Sequence, residues 1–366
     1  MTSEGKFGST DAIWLLAITI SAKTYFTSPA MVVKLAATAG WYLTIISCLT
    51  AMLAFVFIYL LLKRFEGKSL LEINEIVLGR PIGFVFSLLL FIILIFTTTI
   101  NLREFSEVIK IYVFPESPLV YLMTLFLTGV CVLSILGLET ISRVAKFSSY
   151  GLLAGFILII LLASKNFDIS RIMPLMGHGF NKTLVHGITR SSAYGEIIII
   201  AVFARSLGGS RFIKRSGFLS LALSGILVGG GILAFSLFYP YATGQEMTAP
   251  MYQMVSQLNF GNFFTRMEPI FLFIWIISSQ ISVSATFYVS LMVYSQIFRL
   301  GDNRPLVIPM ALVMLSLAVI PRDLIDVVKN YMQIEREYGW CLFFLPSILV
   351  FIIALIRRKD IGKGNA

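Results

Sequence analysis

Ser21-Ala22-Lys23-Thr24-Tyr25-Phe26-Thr27-Ser28-Pro29 interrupts an otherwise apolar run from Asp11 to Val33. The run is as long as a membrane-spanning helix, about 20 residues. Polar groups at its middle would therefore lie near mid-membrane depth, where irregular backbone is tolerated only inside protein or along a cavity. Pro29 lacks an N–H and disfavours helix in the residue before it, so the chain is expected to open here. A second interruption lies in the apolar run from Val185 to Leu207, at Thr189-Arg190-Ser191-Ser192-Ala193-Tyr194-Gly195-Glu196. Gly195 allows backbone geometry that other residues resist.

Composition supplies the context. Of the 366 residues, 57% are hydrophobic and 13% charged. Soluble domains carry about 25% charged residues, so the lipid bilayer is the expected solvent. The net charge of +10 orients a membrane protein and does not imply nucleic acid. No cleavable signal precedes the first span, which is expected to stay in the membrane. Cys48, Cys131 and Cys341 lie far apart in apolar runs and suggest neither a disulfide nor a metal site. His178 and His186 share one loop region without a metal-ligand pattern, and no cofactor is expected.

A 20-residue ruler marks about ten spans: 11–33, 41–62, 82–114, 119–138, 147–163, 185–207, 217–241, 263–298, 305–320 and 339–356. Residues 69–76 suggest a short amphipathic helix, and 321–338 a polar connection. The whole chain forms one transmembrane domain. It divides into a first five-helix half over 11–163, an external loop over 164–184, a second half over 185–356 and a cytoplasmic tail over 357–366. Lysine and arginine fall mostly in loops on the side of the termini, which places both termini in the cytoplasm. Lys34, Lys165, Arg171, Lys182, Arg322, Lys329 and Arg336 fall on the other side.

The halves correspond in form. Spans 1 and 6 are broken, and spans 3 and 8 are over-long. With five spans in each half, the second half must be inverted relative to the first. The expected fold is an all-α, LeuT-like 5+5 inverted repeat with discontinuous helices 1 and 6. Such breaks point to a small-molecule site near the midplane.

The candidate ligand-binding residues follow from that geometry. From the first break they are Ala22, Lys23, Thr24 and Tyr25; from the second, Ser192, Tyr194, Gly195 and Glu196. Span 3 offers Thr98 and Asn101, and span 8 offers Ser282 and Thr286, which share one face. A buried lysine or glutamate at membrane depth is costly and marks function or a structural strut. Lys23 and Glu196 are therefore expected to face each other as a pair. A ligand carboxylate is expected at the half-helix N-termini, where the dipole favours negative charge. Nothing supports an enzyme: the chain has no nucleophile–base pairing, P-loop or metal cluster.

Three further stretches carry a resemblance. Span 3 has Arg103-Glu104-Phe105-Ser106-Glu107 and then Phe114-Pro115-Glu116-Ser117-Pro118. Span 6 has Tyr194-Gly195-Glu196-Ile197, and span 8 opens with Arg266-Met267-Glu268-Pro269 and continues to Trp275. In order, these resemble GerAB-type spore germination proteins, the B subunits of endospore nutrient-germinant receptors, within the amino acid–polyamine–organocation superfamily. The first break departs from that family's glycine-rich pattern at Ala22 and Thr24. The resemblance implies a receptor subunit that binds a small nutrient, foremost an amino acid, in the spore inner membrane. It also implies an A-type membrane subunit and a C-type lipoprotein as partners. A stand-alone proton-coupled amino-acid permease is the alternative of a different class.

Overall fold

The computed structural model describes residues 8–25, 27–258 and 267–357. Phe26 of the first break, the expected opening of span 8 from Phe263 with Arg266, and the basic tail from Arg358 lie outside the described residues.

Seven helical stretches among the described residues are long and apolar enough to cross a membrane. The two interrupted stretches and the shorter Arg304–Ala318 bring the spans to ten. Span 1 comprises Ser9–Ser21 and Ser28–Ala36, span 2 Gly40–Arg64, span 3 Arg80–Tyr112, span 4 Leu119–Leu136 and span 5 Leu138–Ala163. Span 6 starts with Phe180–Thr189 and ends with Ile199–Val202. Span 7 is Ser210–Phe238, span 8 Glu268–Ile297 and span 9 Val307–Ala318; span 10 runs from Leu324 to Ile356.

The burial pattern departs from a water-soluble protein's at the surface and at its polar centre. Leu53, Phe147, Ile226 and Leu312 are exposed, whereas Thr97, Glu104, Glu196, Ser284 and Thr286 are buried. In water, burying such carboxylates while exposing large apolar side chains would be doubly unfavourable. With hydrocarbon outside, the apolar faces meet lipid, and the polar groups find partners only within the protein.

Local chemistry sets the element ends. The amphipathic helix after span 2 is Leu70–Leu78, closed at its start by reciprocal bonds between Ser69 and Glu72. Gly79, at φ 86°, turns the chain directly into span 3. Span 3 has 33 residues, about 50 Å of helix against a hydrocarbon core of about 30 Å. It must tilt or run beyond the core.

Several spans begin earlier than hydropathy predicts, spans 5 and 10 by the most. Span 5 starts at Leu138, not at Phe147. Its charged first turns are matched by Arg143–Glu139, four residues apart, and by Lys146–Asp11 at 2.9 Å. The polar stretch 321–338 is no loop for most of its length. Helix begins at Leu324, is π-wound over Val327–Met332 and continues through Gln333–Phe343. Wide π turns of this kind are rare and, where they occur, are frequent at functional sites.

Packing brings both breaks to the centre. The first half of span 1 lies against spans 5, 7 and 8, span 8 also lies against span 3, and the second break is enclosed by spans 2 and 10.

Candidate functional site

The first break is a tight turn over Ala22–Tyr25, followed by the half-helix Ser28–Ala36 with Pro29 in its first turn. Pro29 fits there because the first helical N–H groups have no intrahelical partner to lose. Lys23 is buried and points across to the second break. Its ammonium donates to the Ala193 carbonyl at 2.9 Å and forms an ion pair with Glu196. Tyr25 is also buried, edge-on to Phe156 and Phe271 at centroid distances of 6.4 and 5.9 Å.

The end of the half-helix is already occupied by a carboxyl group of the chain itself. Glu104 Oε1 accepts the Thr27 backbone N–H at 3.1 Å and the Thr27 hydroxyl at 2.6 Å. A ligand carboxylate was expected to take N–H groups at this end; in the arrangement shown, Glu104 takes that of Thr27.

The second break is a 3₁₀-wound run over Arg190–Ile198. Runs of this tight winding beyond three or four residues are uncommon. Side chains hold it open. Ser192 donates to the Arg336 carbonyl at 2.8 Å, the Tyr194 hydroxyl to the Thr44 carbonyl at 3.3 Å, and Arg190 to Gln333 at 3.1 Å. Gly195 permits a close approach, because a Cβ there would overlap the Phe343 ring. Gly195→Ala is expected to push span 10 away from the break and cost about 1–3 kcal/mol. A lowered unfolding midpoint for the purified variant checks this; an unchanged midpoint would mean the contact has slack.

Two broken helices, bridged by an ion pair at the centre of ten spans, point to a transporter-like architecture. Residues 9–327 match the family described as "Spore germination protein". The chain belongs to the spore germination protein family. Three Bacillus subtilis (strain 168) proteins are similar to it. Spore germination protein KB is 20% identical, with 89% of each chain covered. Spore germination protein A2 is 23% identical, covering 96% of this chain and 97% of that one. Spore germination protein B2 is 21% identical, covering 99% of each. Two solved structures share the fold at 15% identity. A Na⁺-coupled sialic acid symporter in a substrate-bound outward-open state has a TM-score of 0.67, covering 94% of this chain and 79% of that one. Mhp1, a nucleobase-cation-symport-1 family transporter in a closed conformation with bromovinylhydantoin bound, has a TM-score of 0.65, covering 97% and 79%. This germination protein thus has the LeuT-like fold, with discontinuous helices 1 and 6. It is an integral membrane protein of receptor or permease type and not an enzyme.

Within this germination-protein fold, the expected residues separate into two groups. Lys23, Tyr194, Gly195, Glu196 and Ser192 line the meeting of the breaks. Ala22 and Thr24 lie in the same tight turn, and the Thr24 hydroxyl is buried without a hydrogen-bond partner among the described residues. Ser282 reaches span 1 by donating to the Thr19 carbonyl at 3.0 Å. Thr98 and Thr286 instead bond their own helices, Thr98 to the Leu94 carbonyl at 2.6 Å and Thr286 to the Ser282 carbonyl at 3.1 Å. The Asn101 side-chain oxygen is buried and lacks a hydrogen-bond partner among the described residues.

Other residues join the centre without having been singled out. Thr97 donates to Glu335 at 3.1 Å, and Glu335 lies 3.6 Å from the Arg336 guanidinium. Arg336 was expected on the outer side; it is buried against the second break because the polar stretch carrying it is helical. Adjacent opposite charges just before an apolar run were the only signal for it.

Proposed function

We propose that this chain is the B-type, membrane-embedded subunit of a spore nutrient-germinant receptor. It binds a small polar nutrient at the midplane between spans 1, 3, 6 and 8 and passes the event to an A-type membrane subunit and a C-type lipoprotein. The observation that carries the reading is the meeting of both broken helices at one buried polar centre, in a chain of the germination family. The proposed location is the spore inner membrane, with both termini in the cytoplasm, following the lysine and arginine bias of the loops. An amino acid is the first class to test. Its carboxylate must displace Glu104 from Thr27 or bind elsewhere.

The test is a screen of amino acids and sugars against the purified protein in lipid nanodiscs. A ligand at 100 times its Kd stabilises the folded state by about 2.7 kcal/mol, so a hit raises the unfolding midpoint. Thr286→Phe, which enlarges a fully buried side chain of span 8, is expected to remove that rise, with the unliganded midpoint itself lowered by overpacking. Uptake of the hit by liposomes containing this chain alone would favour the permease and refute the receptor assignment. No hit from the germinant classes would refute the nutrient site.

A further inference from the structure

Six buried charges of the central region form three pairs, and two, Arg190 and Glu104, stand in no ion pair among the described residues. Lys23 has Glu196, Arg336 has Glu335 at 3.6 Å, and Arg103 has Glu107 at 2.7 Å. Arg190 is held by Gln333, which donates onward to Glu337. Glu104 has no ion-pair partner among the described residues. Its two hydrogen bonds both end on Oε1 and both come from Thr27. Oε2 is buried without a partner among the described residues, and the residue as a whole is 0% exposed.

The surrounding charges compensate it only in part. From span 10, Arg336 attracts Glu104 more than Glu335 repels it, but the carboxylate within 4 Å of the guanidinium is that of Glu335, at 3.6 Å. On spans 1 and 6, Lys23 and Glu196 are likewise spent on each other. On its own helix, Arg103 and Glu107 form a closed pair. A carboxylate removed from water with no counter-charge neutralises rather than remain bare. A protonated Oε2 leaves one donor unsatisfied, a far smaller penalty than an unpaired charge.

We propose that Glu104 is a proton-binding site, neutral in the arrangement shown, and that it releases its proton when the half-helix of span 1 parts from span 3. In that step the Oε2–H bond breaks, the proton passes to entering water, and the carboxylate is left hydrated. The proton is thus a second ligand of the breaks, independent of any nutrient. Glu104 also acts as the latch between the two helices, since Thr27 holds it from the half-helix side.

The test needs no germinant. Unfolding midpoints of the purified full-length protein are measured from pH 5 to 9 in nanodiscs, with choline chloride as the salt. The folded chain keeps one proton that the unfolded chain gives up above its ordinary value, about 4.3. Stability therefore falls as pH rises, by up to about tenfold in the folding constant per unit, until the folded carboxyl also ionises. Glu104→Gln keeps the carbonyl acceptor for Thr27 but cannot titrate, so its profile is expected to lose this slope. Coincident profiles for wild type and Glu104→Gln would overturn the proposal.

Thr27→Val provides a second reading if Glu104→Gln does not fold. It removes a bond that favours the charged carboxylate, so the fall in stability should extend to higher pH; an unshifted profile would overturn the proposal. Stabilisation of the wild type, but not of Glu104→Gln, by sodium or potassium chloride in place of choline would assign the position to a metal cation and overturn the proton.

Discussion

Lys23→Met is expected to be the most damaging single substitution at the breaks, with a loss of about 3–5 kcal/mol. The lysine is nearly fully buried, and its ammonium holds both the Glu196 carboxylate and the Ala193 carbonyl. Methionine fills similar space but leaves Glu196, itself 0% exposed, without its counter-charge. The cost is mainly that stranded carboxylate, not the worth of the ion pair, which can be small once desolvation is counted. Purified variant and wild type compared by thermal unfolding in nanodiscs provide the measurement. A shift equivalent to less than 1 kcal/mol would show that Glu196 finds another partner or a proton at little cost.

Arg103→Leu is expected to be nearly as destabilising, by about 3–5 kcal/mol, through a different contact. Arg103 donates twice to Glu107, at 3.1 and 2.7 Å, and also to the Ala318 carbonyl at 2.8 Å and the Arg322 carbonyl at 3.3 Å. It therefore ties span 3 to the end of span 9, where the last carbonyls of a helix lack intrahelical donors. Leucine would strand Glu107 and those carbonyls together. Because this clamp lies away from the breaks, any nutrient-induced rise in midpoint should survive in whatever protein folds. Loss of the nutrient response at unchanged stability would instead place Arg103 in the signalling path.

The breaks were legible because physical chemistry leaves few readings for Lys23, Pro29, Gly195 and Glu196 inside apolar runs. Two unlike charges on corresponding spans also had few other partners to choose. Glu104 was harder to read. It adjoins Arg103, yet successive helical residues point about 100° apart, so Arg103 turns to span 9 and Glu104 to the half-helix. Spacing shows that Arg103 and Glu107 share a face; it does not show what Glu104 meets. Glu335 and Arg336 were hidden for another reason. A hydropathy ruler detects helices that face lipid, and this part of span 10 buries its polar face in protein. Thr98 and Thr286 show the converse limit, since sequence cannot tell a hydroxyl lining a site from one bonded to its own helix.

The central claim is that the broken first and sixth spans are fastened to each other through Lys23 and Glu196. A double-mutant cycle of Lys23→Met, Glu196→Gln and the combined variant tests it most directly, read as unfolding free energies in nanodiscs. The account predicts that the combined variant is more stable than Lys23→Met alone, with a coupling of about 1–3 kcal/mol. Additive effects, with a coupling below about 0.5 kcal/mol, would contradict it.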